Sequence, residues 1–330
     1  MSDSGSVPVF NFADRLAAAI KAKNNPSVAG LDPRIEYVPA HLIEKARKAS
    51  ISGDKRKWQA EAVLSFNKGL IDALHDIVPA VKLQIAFYEL LGCEGMEVFR
   101  ETAIYASQKQ MLVIADAKRG DIGSTAEAYA QAFLSPGGPF EADALTVNPY
   151  FGCDGIKPFI DACAKNGKGI FILVKTSNKS SIEFQDIETS DRSSGRTRPL
   201  YELVAEKVRE WGNSQGLAGS CGYNSIGAVV GATYPAQAVA LREVMPRAFI
   251  LVPGYGAQGG TAADAACSFG SGGAGAIVNA SRSIMCACMT QGWKDKFGGD
   301  MVKAGLRYAD AAREEALRMK EDLNSALISR

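Results

Sequence analysis

At 330 residues, 47% of them apolar and 22% charged, the chain has the composition of a folded protein with a sizeable core, which sets disorder aside. Its 37 basic and 36 acidic residues leave a formal net charge of +1, so no global field draws it to nucleic acid or to an anionic membrane. Any anion it binds must be held by a local site.

The stretch MSDSGSVPVFNFADRL, at the start, has neither the basic beginning nor the apolar core of a signal peptide. Nowhere does an uncharged apolar run reach about 18 residues, and the final ISR is not the S-K-L address, so a reducing, cytoplasmic setting without membrane association is expected. Short β-rich runs then recur along the chain: SVAGLD (27–32), PAVKLQ (79–84), MLVIAD (111–116) and DALTVN (143–148), followed by GIFILVK (169–175), IGAVVGA (226–232), RAFILV (247–252) and GAIVNA (275–280). Helical patterns lie between them, such as EAVLSFNKGLIDALHDI before the second and YELVAEKVREWG before the sixth. His41 and His75, the only histidines, fall in helix-like stretches and suit packing or surface roles. Seven cysteines, with no C-x-x-C pair, indicate neither a disulfide framework nor a zinc ribbon, and Cys286 and Cys288 read as small apolar residues; no metal site is expected.

Eight strands buried on both faces and alternating with helices predict a closed (β/α)8 TIM barrel, one domain over 1–330. The excess length has three places: a helical insertion over about 34–57, a polar loop after strand five (NKSSIEFQDIETSDRSSGRTRP) expected to be mobile and able to cover a site, and a charged helix over 300–328 packed on the outside. An open doubly wound sheet is the alternative. The barrel is favoured by Asp32, Lys82, Asp116, Asn148, Lys175 and Asn279, each at or near the carboxyl end of a strand, where a barrel assembles its site.

Four charges crowd the end of strand three in MLVIADAKRGDIGST: Asp116, Lys118, Arg119 and Asp121. Residues two apart share a strand face, so Asp116 and Lys118 are expected at the barrel mouth, with Asp121 in the loop beyond and Lys82, ending strand two, beside them. Lys82, Asp116, Lys118 and Asp121 permit a row of alternating sign, which lowers the cost of burying each. Spacing alone leaves two readings open, a structural ion-pair network and a reaction site.

Phosphate binding favours the second. VPGYGAQGG follows strand seven and NASRSI follows strand eight, the two loops from which many barrels build a phosphate cradle of backbone N–H groups. Gly254, Gly256, Gly259 and Gly260 let the backbone approach an anion, Gln258 offers side-chain hydrogen bonds, and Arg282 a planar fork. Gly254, Gly256 and Gly259 also satisfy G-x-G-x-x-G, but the acidic residue needed for ribose recognition about 20 residues on is missing, and the second match, Gly270, Gly272 and Gly275, precedes a strand; an NAD-linked oxidoreductase therefore ranks last.

Asp116-x-Lys118-x-x-Asp121 with Ile122 and Thr125, preceded by AGLDP and VKLQIAFYE and followed by PGYGAQGG and NASRSI, resembles the orotidine 5′-monophosphate decarboxylase family over roughly residues 10–290, in the branch with DAKRGDIGST and NPYFG. The resemblance implies a cofactor-free (β/α)8 homodimer that converts orotidine 5′-monophosphate to uridine 5′-monophosphate and carbon dioxide in pyrimidine synthesis. It implies that Lys82, Asp116 and Lys118 come from one subunit and Asp121 and Thr125 from the other. It further places Asp32 on the ribose, Ser177 of VKTSN on the pyrimidine, and Gln258 with Arg282 on the phosphate. Two rivals are kept: a magnesium-dependent sugar-phosphate decarboxylase or aldol-type synthase on the same barrel, and a non-catalytic nucleotide-binding protein.

Overall fold

In the computed structural model, residues 11–50, 53–190, 195–256 and 258–329 are described. Eight parallel strands close into a barrel: β1 (Ser27–Leu31), β2 (Ala80–Gln84), β3 (Leu112–Arg119), β4 (Ala144–Val147), β5 (Gly169–Lys175), β8 (Asn224–Val230), β9 (Ala248–Val252) and β10 (Ala276–Ala280). Two further strands, β6 (Glu188–Ser190) and β7 (Thr197–Pro199), form a separate antiparallel ribbon between β5 and β8. The eight barrel strands are those expected from the apolar runs. Pairing of β1 with both β2 and β10 shuts the barrel and removes the open-sheet alternative.

Side chains alternate along a strand, so every second residue of each strand faces the barrel interior. The lower interior is packed with apolar residues such as Val28, Ala80, Ile114, Ala144, Phe171 and Ile277. A helix over Phe12–Lys23, N-capped by the Asn11 side chain, plugs this end with Phe12 and Leu16. Phe12 meets Phe171 edge-on at 5.8 Å, and a Cβ at residue 169 would lie 2.2 Å from the Phe12 ring, so glycine is required at the start of β5. With its floor filled, the barrel leaves only its carboxyl end for chemistry. One step up β2, β3, β4 and β10 the apolar residues give way to Lys82, Asp116, Thr146 and Asn279.

Three insertions differ from expectation in detail. The polar segment after β5 is structured: a 3-10 turn at Lys179–Ser181, a helical turn at Ile182–Gln185, then the β6–β7 ribbon, with 191–194 outside the described residues. The carboxyl-terminal stretch is two helices, Met301–Leu306 and Tyr308–Ile328, because Arg307 leaves helical geometry (φ −107°, ψ 28°). Tyr308 then anchors the second helix by packing on Phe66 at 5.2 Å, in space left open by Gly69. The insertion before β2 holds a helix over Ala40–Ala49 and the start of the helix Lys55–Leu74, with residues 51–52 outside the described residues. No helix among the described residues is long and apolar enough to cross a membrane.

Candidate active site

A cavity of about 660 Å³ opens at the carboxyl end of the barrel, with Leu173, Val229 and Leu251 among its apolar lining and Asp32, Lys82, Asp116 and Lys118 among its charged lining. At its centre the Asp116 carboxylate accepts four hydrogen bonds. Oδ1 receives Lys118 Nζ at 2.6 Å and Thr146 Oγ1 at 3.0 Å; Oδ2 receives Lys82 Nζ at 2.8 Å and Gln84 Nε2 at 3.0 Å. Lys82 is the third of five residues in β2, inside the strand, and its inward direction follows from alternation with Ala80 and Gln84. Only 4% of Lys82 and 8% of Asp116 is exposed.

Burial alone would push both groups toward their neutral forms, and the neighbouring charges reverse this. Against desolvation, Asp116 and Asp32 push Lys82 up to about 12. Against its own desolvation, Lys82 and Lys118 hold the Asp116 carboxyl far below the usual carboxylate range. A depressed carboxyl pKa adds stability that is full above its unfolded value and is lost as pH falls toward the folded one. A raised ammonium pKa adds stability that is full below the unfolded value and is lost as pH rises through the folded one. The stability difference between wild type and Asp116→Asn, read from denaturant midpoints, is therefore expected to stay level from about pH 5 to about pH 10 and to shrink outside that window. A difference that moves steadily across pH 5–10 would contradict this electrostatic assignment.

Lys118 reaches the mouth by a route that plain alternation does not describe. The register of β3 on β4 jumps between Ala115 and Arg119, and Lys118 itself takes a left-handed φ of 48°, at a cost of about 1–2 kcal/mol for a residue with a Cβ. Its N–H donates to Thr146 Oγ1 at 2.9 Å, the same hydroxyl that donates to Asp116. Thr146 thus ties the bulge to the carboxylate. The Lys118 side chain is 46% exposed, so its ammonium stands between Asp116 and open solvent.

The alternating row is completed within the chain by Asp32, whose Oδ1 lies 3.5 Å from Lys82 Nζ, and not by Asp121. Asp121, Ile122 and Thr125 are absent from the cavity wall; the Asp121 carboxylate accepts from the N–H of Ile122, which is itself largely exposed. Asn148 and Lys175 also leave the expected cluster. Asn148 is exposed and accepts from the N–H of Tyr150, while a register shift between Leu173 and Lys175 turns Lys175 off the cavity wall to pair with Asp186.

Ser177, Gln258 and Arg282 line the cavity with Asp32, as does Gly254. Gly254, Gly256 and Gly259 have φ of 99°, 68° and 94°, the left-handed conformations that glycine permits. The expected cradle of N–H groups is partly closed: the N–H groups of Gly256, Gly259 and Gly260 donate to Gly260, Gly256 and Gly254 carbonyls. An anion at this end would therefore meet the Gln258 and Arg282 side chains in place of those three amides. Gln84, Thr146, Asn178 and Ser281 also line the cavity and were not singled out from the sequence. Gln84 stands two residues after Lys82 and Thr146 interrupts an apolar run, so both carried a signal.

The family model described as "Orotidine 5′-phosphate decarboxylase / HUMPS family" matches residues 63–288. The chain is 40% identical over 329 residues to orotidine 5′-phosphate decarboxylase of Caldicellulosiruptor saccharolyticus, covering 97% of this chain and 100% of that protein. It is 41% identical over 319 residues to the Rhodopirellula baltica protein of the same name, covering 96% and 99%. Among solved structures, a putative orotidine 5′-phosphate decarboxylase from Streptomyces avermitilis superposes with a TM-score of 0.74 at 29% identity, over 99% of both chains.

Proposed function

Because the chain belongs to the orotidine 5′-phosphate decarboxylase / HUMPS family, we propose that its barrel-mouth cavity converts orotidine 5′-monophosphate to uridine 5′-monophosphate and carbon dioxide, a step of pyrimidine synthesis. The observation that carries this reading is Asp116, buried and held ionised by four donors, with a lysine ammonium on each oxygen. A carboxylate so saturated is a poor proton donor or acceptor but a fixed negative charge. A binding module gains nothing from setting it beside a ligand that carries its own carboxylate.

The substrate carboxylate is set against Asp116, and the like-charge contact is relieved as the C6–carboxylate bond breaks and carbon dioxide departs. The bonding pair stays on C6, next to the Lys118 ammonium, which stabilises the carbanion and then transfers a proton to it. Lys118, half open to solvent, recovers its proton from water, so the sum is substrate plus one proton giving product plus carbon dioxide. Lys82 and Gln84 hold Asp116 during this cycle. Asp32 serves the ribose, Ser177 the pyrimidine, and Gln258 with Arg282 the phosphate. Binding energy from the phosphate end supports the strained placement of the reacting end.

The active form is a homodimer in which Asp121 and Thr125 enter the partner's cavity. This reading is supported by their position outside their own cavity and by the exposed apolar side chains beside them: Tyr150 is 87% exposed, and Phe151 packs close to Gly120 and Gly155.

The test is the ultraviolet absorbance of orotidine 5′-monophosphate mixed with purified protein, with and without a metal chelator. A fall in absorbance that the chelator leaves unchanged is the expected result. No fall, with folded protein, overturns the reading, and a fall abolished by the chelator points to the magnesium-dependent chemistry of a barrel relative. Arg282→Ala is expected to raise KM for orotidine 5′-monophosphate by about 10–100-fold, the loss of a charge-assisted hydrogen bond of about 1.5–3 kcal/mol. Steady-state kinetics on that variant checks this, and an unchanged KM would remove Arg282 from the phosphate site.

A further inference from the structure

Lys175 is fully buried, yet it lies outside the cavity wall and outside the chemistry just described. A buried ammonium is costly unless paired. Here it is held by Asp186 Oδ1 at 2.5 Å and by the faces of Tyr234 and Tyr201, 4.4 Å and 5.4 Å from the ring centroids. Asp186 stands at the far end of the segment that begins with Thr176, so this ion pair closes the segment on itself. Gln185 closes it a second time, accepting from Thr176 N–H at 3.0 Å and donating to Thr176 Oγ1 at 2.8 Å. Within the closed segment Thr176, Ser177 and Asn178 form one wall of the cavity.

A chain of hydrogen bonds links the ammonium to that wall. Lys175 Nζ donates to Ser181 Oγ at 3.2 Å, Ser181 donates to Tyr234 Oη at 3.1 Å, and Tyr234 donates to the Asn178 carbonyl at 3.1 Å. An ammonium can only donate, so its charge fixes the direction of both hydroxyls and aims the last proton at the backbone beside Ser177. On its other side Ser177 is backed by residues after β8. Thr233 Oγ1 donates to its carbonyl at 3.2 Å, and a Cβ at Gly231 would stand 2.8 Å from its Cα.

We propose that buried Lys175, with Asp186 and Tyr234, forms a latch that positions Ser177 for recognition of the pyrimidine base. The inference rests on the decarboxylase reading above. Lys175 is on this view a positioning residue: it meets no substrate atom, and it acts on the base-recognition wall while leaving the phosphate end untouched.

The experiment compares binding of uridine 5′-monophosphate with binding of ribose 5-phosphate, which has the phosphate and sugar without the base, by calorimetry on the full-length protein. Asp186→Asn and Lys175→Met are expected to weaken uridine 5′-monophosphate about tenfold while ribose 5-phosphate changes less than about twofold, with a matching rise in KM for orotidine 5′-monophosphate. Tyr234→Phe keeps the ring under Lys175 and removes only the hydroxyl, so it decides the question by the same ratio if the charge variants fail to fold. Equal weakening of both ligands, or no change in either, overturns the latch. Failure of the underlying reading is distinct: wild-type protein would then neither decarboxylate orotidine 5′-monophosphate nor prefer the nucleotide to ribose 5-phosphate.

Discussion

Lys118→Ala is expected to lower kcat on orotidine 5′-monophosphate by at least about 10³-fold while the barrel remains folded, because in the proposed mechanism one side chain supplies both the proton and the charge opposite the carbanion. The structure separates this loss from any loss of stability. Lys118 sits at φ 48°, in a bulge kept by the Thr146 hydroxyl, so its side chain is held there against a local backbone cost. Removing the ammonium also relieves nothing that the core needs, since Lys82 continues to neutralise Asp116 at 2.8 Å. Lys118→Gly sharpens the test: glycine accepts the left-handed conformation, so this variant is expected to be as inactive as Lys118→Ala but more stable by roughly 1 kcal/mol. Single-turnover absorbance and chemical denaturation measure the two quantities independently. Near-normal turnover in either variant would sink the proton-transfer role, and a less stable glycine variant would remove the strain argument.

The same bulge marks where sequence reasoning stopped. Strands buried on both faces are short apolar runs between helical patterns, which is why all eight barrel strands were legible, and with them the position of Lys82 and Asp116 above an apolar floor. Irregularities of register were not legible. The shift in β5 turns Lys175 away from the mouth although it ends a strand, whereas the shift in β3 leaves Lys118 facing the cavity by a different backbone path. A bulge depends on pairing with a distant strand, so no local pattern announces it. The segment after β5 looked like a loop because its composition is polar. Its order comes from groups that only the fold brings together, Lys175 with Asp186 and Ser181 with Tyr234, 53 residues apart in sequence. Gln84 and Thr146 carried only the weak signal of a polar residue in a strand, and their role shows once Asp116 is placed between them.

The fate of Asp121 leads to the second large effect. Mixing inactive Lys82→Ala and Asp121→Ala proteins under conditions that allow subunit exchange is expected to restore activity. If each site combines Lys82 of one subunit with Asp121 of the other, a hybrid dimer holds one doubly defective site and one wholly wild-type site. Random exchange of an equal mixture makes half of the dimers hybrids, so about a quarter of wild-type activity should return. If both residues served the same subunit's site, every site in every dimer would carry one lesion and nothing would return. The geometry within one chain agrees with the first arrangement, since Asp32 already occupies the position beside Lys82 and the Asp121 carboxylate is turned to the backbone of Ile122. A fluorescence-transfer signal between differently labelled subunits confirms that exchange has occurred. With exchange confirmed, an absence of recovered activity would place Asp121 outside the partner's site and leave Lys82, Asp116, Lys118 and Asp32 as the charged row at the reacting end.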